Sequence, residues 1–284
     1  MIKKLCITAH ADDVEIMAPF AISECFSDKS FGAVIITDGR GSLRANEFAN
    51  TTDEQMVKIR KAEQQKAALL GNYGLLRFGG FLSSEADSDE AVSFIQDILT
   101  EYKPQTVYIH NLADKHKTHV SCSLTAIKAL RNMKNYYTPE KLYMMEVWRS
   151  LDWLPDRKKV VFNNHNPDLQ QKLLSCFNSQ LAGGKRYDLG AKGRAIANAI
   201  FLESHETTDE NACHTVSNLK CRQNGVNSSF KKERIAREHF VDAFDCKQYY
   251  YGIDATELIN STVTPMDFIL SLIDGFRDEV KYAL

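Results

Sequence analysis

Short runs of β-branched and apolar residues alternate along this chain with longer stretches whose apolar positions recur every three or four residues. The compact runs fall at 5–8, 31–37, 75–78, 106–109, 141–148 and 160–162, and each reads as a strand. The helical spacing falls at 16–22, 53–70, 89–102, 120–130 and 168–177, continues through Ile196, Ile200 and Leu202, and returns at 266–280. Gly71-Asn72 and Pro104 supply two of the stops. Strands alternating with helices predict an α/β fold: a mainly parallel sheet with helices on both faces. The chain is expected to be a single domain over 1–284, with a polar loop, flap or insertion at 204–230 and a helical tail at 260–284.

The first strand run ends abruptly in polar groups, Ile7-Thr8-Ala9-His10-Ala11-Asp12-Asp13. At the carboxyl end of a strand in an open α/β sheet, such groups sit where ligands bind. In an extended chain His10 and Asp12 point to one side, and in a helical turn His10 and Asp13 share a face, so both carboxylates can reach one cavity. An imidazole nitrogen and a carboxylate oxygen suit zinc, and a catalytic zinc site typically has about three protein ligands and one open position. The turn offers two. The same letters are also explained by Asp12 or Asp13 capping the next helix, with His10 a hydrogen-bonded core residue.

The fourth strand run opens into His110-Asn111-Leu112-Ala113-Asp114-Lys115-His116-Lys117-Thr118-His119. His116 and His119, three apart across a loop-to-helix junction, can flank one cavity, one as ligand and the other as a free imidazole. Alone, such a pair is a weak signal. At a strand end equivalent to that of His10 it becomes a strong one, because both groups should face the same edge of the sheet.

Together these residues resemble the zinc-dependent LmbE-like deacetylases, the group that includes the PIG-L N-acetylglucosaminylphosphatidylinositol de-N-acetylases. Ala9-His10-Ala11-Asp12-Asp13-Val14 is similar to the family's A-H-P-D-D-E, departing at Ala11 and Val14, and His116-Lys117-Thr118-His119 is similar to its H-x-D-H, departing at Thr118. Further matches are Thr37-Asp38-Gly39, Arg60 with Glu63, Glu146-Val147-Trp148, Lys172 followed by Ser179-Gln180, and more loosely Asp242-Ala243-Phe244, so the likeness spans roughly 5–245. The resemblance implies a Rossmann-like fold and a Zn2+ ion held by His10, Asp13 and His119. It makes Asp12 the general base, His116 the imidazole near the developing oxyanion, and Arg60 a supporting residue. The expected reaction is deacetylation of an N-acetylglucosamine-type conjugate. Because threonine carries no charge, Asp114 is the candidate anionic partner for His116; otherwise His116 works with a lower pKa.

Composition narrows the field further. The formal charge is −2 with 44% apolar residues, and there is no basic stripe, so nucleic acid is an unexpected partner. No stretch reaches the ~20 apolar residues of a membrane span. The start lacks the apolar region of a signal peptide. Seven cysteines without CxxC spacing fit reduced thiols, and the expected location is the cytoplasm. Gly39-Arg40-Gly41-Ser42 lacks the order and lysine of a P-loop, yet Arg40 and Arg44 suit a phosphate or carboxylate on a substrate. Asp38, Arg40, Arg60 and Trp148 are therefore the substrate-binding candidates. Trp148 could stack on a sugar ring, whereas Trp153 reads as a core or contact aromatic. Cys213, His214 and Cys221 with His205 fit no standard zinc pattern. Other divalent metals, other N-acyl or N-formyl small molecules, and association of subunits are left open. The competing class is a nucleotide-binding or sensory α/β module in which the histidines are structural.

Overall fold

The alternation in the sequence becomes a seven-stranded sheet in the order β3-β2-β1-β4-β5-β7-β6, in a computed structural model that describes residues 1–202 and 247–273. The strands are β1 (Lys4–Thr8), β2 (Phe31–Thr37), β3 (Leu75–Phe81), β4 (Thr106–His110), β5 (Lys141–Met145), β6 (Val160–Asn163) and β7 (Tyr249–Asp254). The first five are parallel, and β7 runs antiparallel to both β5 and β6. The helices are α1 (Asp13–Met17), α2 (Pro19–Glu24), α3 (Asp53–Leu70), α4 (Asp89–Tyr102), α5 (Lys117–Met133), α6 (Pro167–Leu174), α7 (Asn178–Leu181), α8 (Tyr187–Leu202) and α9 (Glu257–Asn260). Residues 265–273 are helical as well.

Strand side chains alternate between faces, and two separate cores follow. Leu5, Ile7, Val34, Val107 and Ile109 pack under α4 and α5, while Cys6, Ala33, Ile35 and Tyr108 pack against α1, α2 and α6 on the other face. Because both faces are covered, the central strands are apolar throughout; all seven residues of β2 are buried. The chain leaves β1 for β2 on one side and returns, after β3, to β4 on the other. The order therefore reverses between β1 and β4, and the carboxyl ends of these two strands form the crevice in which such sheets bind ligands.

Several expectations are corrected. The helix predicted at 16–22 is two helices, because Pro19 starts α2 without an amide proton and Ala18 leaves the helical region. The strand predicted at 141–148 stops at Met145, and the helix predicted at 168–177 ends at Leu174 as α6, with the separate short α7 following it. β7 was not expected; its signal is the run Tyr249-Tyr250-Tyr251 followed by Ile253. The expected loop at 204–230, His205, Cys213, His214, Cys221, Asp242-Ala243-Phe244 and the far end of the 266–280 helix lie outside the described residues. Among the described residues no helix is long and apolar enough to cross a membrane.

Candidate active site

The turn after β1 is held by residues of α3. Asp12 has φ 86°, left-handed for a non-glycine residue, a conformation that persists only where the surroundings over-determine it. Gln64 Oε1 accepts the Asp12 amide proton at 3.1 Å. The Arg60 guanidinium donates from Nη2 to the Ala11 carbonyl and, at 3.0 Å, to Asp12 Oδ2. Arg60 is itself buried and pairs with Glu63 at 3.0 Å, whose carboxylate accepts the Ser179 amide at 2.6 Å and hydroxyl at 2.7 Å. The scattered matches Arg60, Glu63 and Ser179 are thus one network behind Asp12.

Asp13, the first residue of α1, points the other way. Its Oδ2 accepts the His10 amide at 2.8 Å and lies 3.3 Å from His10 Nδ1, 3.5 Å from His119 Nε2 and 3.5 Å from His110 Nε2. Adjacent in sequence, the two aspartates are pushed in opposite directions. Burial raises the pKa of Asp12, with Arg60 opposing. Burial acts on Asp13 too, but His119 and His110 and the bond from His10 overcome it and hold that carboxyl well below the usual range. An acceptor of raised pKa beside a firmly ionised carboxylate is the division needed by a proton acceptor and a metal ligand.

His119, in the first turn of α5, is fully buried with neither ring nitrogen hydrogen-bonded. Its Nδ1 lies 3.6 Å from Asp114 Oδ2, and although burial lowers its pKa, Asp13 and Asp114 raise it overall. His10, Asp13 and His119 each offer one donor atom, all within 4.8 Å of one another. Two imidazoles and a carboxylate suit zinc and similar divalent ions, and a buried imidazole without a hydrogen-bond partner is what a ligand nitrogen looks like before the ion binds. The residues therefore fit a divalent metal.

His116 stands on the cavity wall, its ring centroid 5.0 Å from that of His10, 4.5 Å from His119 and 6.0 Å from Trp148. Asp114 is not its side-chain partner. That carboxylate accepts the His116 backbone amide at 2.9 Å and the Trp148 amide at 3.0 Å, and otherwise faces His119. Thr118 is buried in α5, and the His116 pKa is lowered by burial and by His119 and His10.

The cavity over these groups has a volume of about 350 Å³. Gly39, Gly41 and Ser42 line one side, Trp148 and Tyr187 the other, and Arg60 closes the floor behind Asp12. Asp38 and Arg40 engage each other, Nε to Oδ2 at 2.6 Å, beside this lining. Trp153 packs against the core and donates its indole proton to the Ser150 carbonyl at 2.9 Å.

Sequence reasoning missed His110 as a member of the site. Its ring stacks on His119 at 4.0 Å, and its Nε2 accepts the Ala9 amide at 3.0 Å, tying the end of β4 to that of β1. The available signal was a third histidine within ten residues of the other two.

The PIG-L family, described as GlcNAc-PI de-N-acetylase, matches residues 5–130, which hold His10, Asp12, Asp13, Arg60, His116 and His119. No curated protein matches the chain by sequence. N,N'-diacetylchitobiose deacetylase from Pyrococcus horikoshii shares the fold with TM-score 0.57 and 17% identity, over 70% of this chain and 79% of that one. A teicoplanin deacetylase in a zinc-inhibited form aligns with TM-score 0.56 and 11% identity over 89% and 98%. The 4-carboxy-2-hydroxymuconate hydratase GalB of Pseudomonas putida KT2440 aligns with TM-score 0.58 and 18% identity over 74% and 92%. At these identities the structures show a common fold.

Proposed function

We propose, taking as premise that the chain is a PIG-L (LmbE-like) protein over residues 5–130, that it is a metal-dependent amidohydrolase releasing acetate from an N-acetylated amino-sugar conjugate. The observation that carries this reading is the convergence of His10, Asp13 and His119 beside an aspartate whose pKa is shifted the opposite way. These three residues would hold the ion, zinc in the first instance. When bound, a zinc ion supplies a Lewis acid for the amide carbonyl and lowers the pKa of a water from ~15.7 toward ~7.

Asp12 takes the proton of the attacking water and passes it to the leaving amine; general acid–base catalysis of this kind contributes ~10²- to 10⁴-fold. Because Arg60 engages Oδ2, proton transfer falls to Oδ1. Arg60 acts through Asp12 and is a positioning residue. His116 faces the charge that develops on the amide oxygen. With its pKa lowered it does so near pH 7 as a neutral hydrogen-bond donor, and a donor so placed is worth ~3 kcal/mol. Trp148 offers an apolar wall for the sugar ring.

Metal analysis of the purified protein beside His119→Ala tests the assignment. The expected result is about one divalent ion per chain in the wild type and little in the variant, because removing one of about three protein ligands leaves too few donors. Acetate release from N-acetylated sugars should be lost in parallel. Equal, substoichiometric metal in both proteins sinks the reading.

A further inference from the structure

We infer that His110 is a positioning residue for the proposed metal site: its imidazole spans the ends of β1 and β4 and sets the distance between the His10–Asp13 turn and His119. The inference rests on the donor set put forward above and on no part of the amide chemistry.

The need for a spacer arises from the way the sheet opens. β1 and β4 pair through Lys4, Leu5 and Cys6, and past Cys6 and Tyr108 the two strands no longer pair, although they continue to Thr8 and His110. That parting makes the crevice in which the site lies. It also leaves the amide of Ala9, a fully buried residue, in need of an acceptor that a paired strand would have supplied. His110 Nε2 takes that proton at 3.0 Å. On the other side the Ala9 carbonyl accepts the Thr37 amide at 3.0 Å and the Thr37 hydroxyl at 2.7 Å, so the residue before His10 is pinned from both flanking strands.

The other half of the donor set meets the same ring. His119 lies face to face with His110, centroids 4.0 Å apart and planes inclined by 14°. One turn further, along the same face of α5, the Ser123 hydroxyl donates to the His110 carbonyl at 2.8 Å. One edge of His110 thus bears on the turn after β1, and one face bears on α5. Because the imidazole is planar and has no internal torsion, the two contacts together fix a distance. Asp114, behind Nδ1, acts on the direction of the His119 ring, whereas His110 acts on its separation from His10 and Asp13.

A second feature distinguishes His110 from a residue that merely caps an amide. The Ala9 amide can only donate, so Nε2 carries a lone pair and the ring proton sits on Nδ1. That Nδ1 is buried and has no hydrogen-bond partner among the described residues. A donor left unpaired in the interior costs stability, and such a group persists where its position serves something else. What this position serves is the stack on His119.

Zinc affinity of the metal-free protein, measured by chelator competition beside the thermal unfolding of the same samples, tests the inference. His110→Gln can keep an acceptor for the Ala9 amide but removes the ring, and His110→Phe keeps a ring against His119 but removes the acceptor. Each severs one end of the span, so each should weaken zinc binding by about tenfold or more, the scale on which groups behind metal ligands act. Ile98→Ala, in the core under α4, should lower the unfolding temperature and leave zinc affinity within about threefold of wild type. Should the unpaired Ala9 amide keep His110→Phe from folding, His110→Gln against Ile98→Ala decides alone. Zinc affinity within about threefold of wild type in either folded His110 variant overturns the inference. A loss in Ile98→Ala as large as theirs overturns it too, since destabilisation alone would then account for the effect. Both of these outcomes leave the metal site standing. Wild-type protein that binds no zinc, or His119→Ala that binds it as tightly as wild type, removes the donor set and the inference with it.

Discussion

The two loops that meet at the candidate metal site, residues 9–13 after β1 and 111–116 after β4, do the same job by different means. The first is short and strained: Asp12 adopts a left-handed backbone, and Arg60 and Gln64 from α3 fasten both its side chain and its amide. The second has no such cation. It is gathered by one carboxylate, Asp114, which accepts the amides of His116, Trp148 and Arg149 and faces His119. On the proposed reading Asp12 is a proton acceptor, which must keep both its position and its ionisation, and the buried Arg60–Glu63 pair of α3 serves both. Removing such a buried cation would leave Asp12 and Glu63 unpaired, which typically costs ~3–5 kcal/mol. A metal donor needs chiefly its orientation, and one carboxylate behind the imidazole suffices for that.

The sharpest test of this contrast is Asp12→Asn. The amide keeps an oxygen for Arg60 and the shape of the side chain, so the turn and the bound metal should persist. Hydrolysis should fall by ~10²- to 10⁴-fold because the proton acceptor is gone. Steady-state acetate release with parallel metal analysis checks both halves. Retained turnover would remove Asp12 as base and make the first loop's wiring purely structural.

Beneath the same loop, Glu15 offers a stability test with a definite sign. It is fully buried, its Oε1 accepts from Gln64 Nε2 and the Tyr73 hydroxyl at 2.7 Å each, and its Oε2 has no hydrogen-bond partner. Burial pushes its pKa up to about 7. The folded state therefore binds this proton more tightly than the unfolded chain, whose glutamates titrate near 4.3. The stability so contributed is fully present below about pH 4.3 and is lost as pH rises through about 7. Glu15→Gln keeps the accepting oxygen and removes the charge. At pH 8 the variant should be more stable by about 3 kcal/mol in urea unfolding, and near pH 4 the difference should vanish. An equal difference at both pH values would show that Glu15 does not titrate in the fold.

What could be read from the letters follows the same division. Five parallel strands and the convergence of the His10–Asp13 turn with the His116/His119 pair were legible, because each motif is local and ends a strand whose apolar run is plain; the choice of His119 over His116 as ligand came from the family resemblance. The partnership of Arg60 with Asp12 was not, since 48 residues separate them and only the packing of α3 beside the turn joins them. His110 reads as the end of β4, and its role exists only because β1 lies alongside and supplies the Ala9 amide. β7 escaped for a related reason: it pairs antiparallel with β5 and β6, strands far upstream in sequence, and its tyrosines show no alternation. Asp114 was singled out, but for the wrong histidine, because it lies two residues from His116 and five from His119, and only the fold turns its carboxylate toward His119.

Asp114→Asn carries the smallest of these expected effects and bears directly on the second loop. Asparagine offers one accepting oxygen where Asp114 uses two, so either the His116 amide or the Trp148 and Arg149 amides lose their acceptor and a modest loss of stability accompanies the change. Asparagine carries no charge to face His119 Nδ1, and an orienting carboxylate behind a metal-bound imidazole is typically worth ~10- to 100-fold in metal affinity. A chelator competition should therefore show weaker metal binding, with turnover at saturating metal close to wild type, because Asp12 and Arg60 are untouched. If the affinity stays unchanged while thermal stability drops, Asp114 serves the backbone amides of residues 116, 148 and 149 alone, and the orientation of His119 comes from its packing against His110. His119 would then be oriented by sterics while Asp114 held only the loop backbone, and the contrast with the charge-locked first loop would widen.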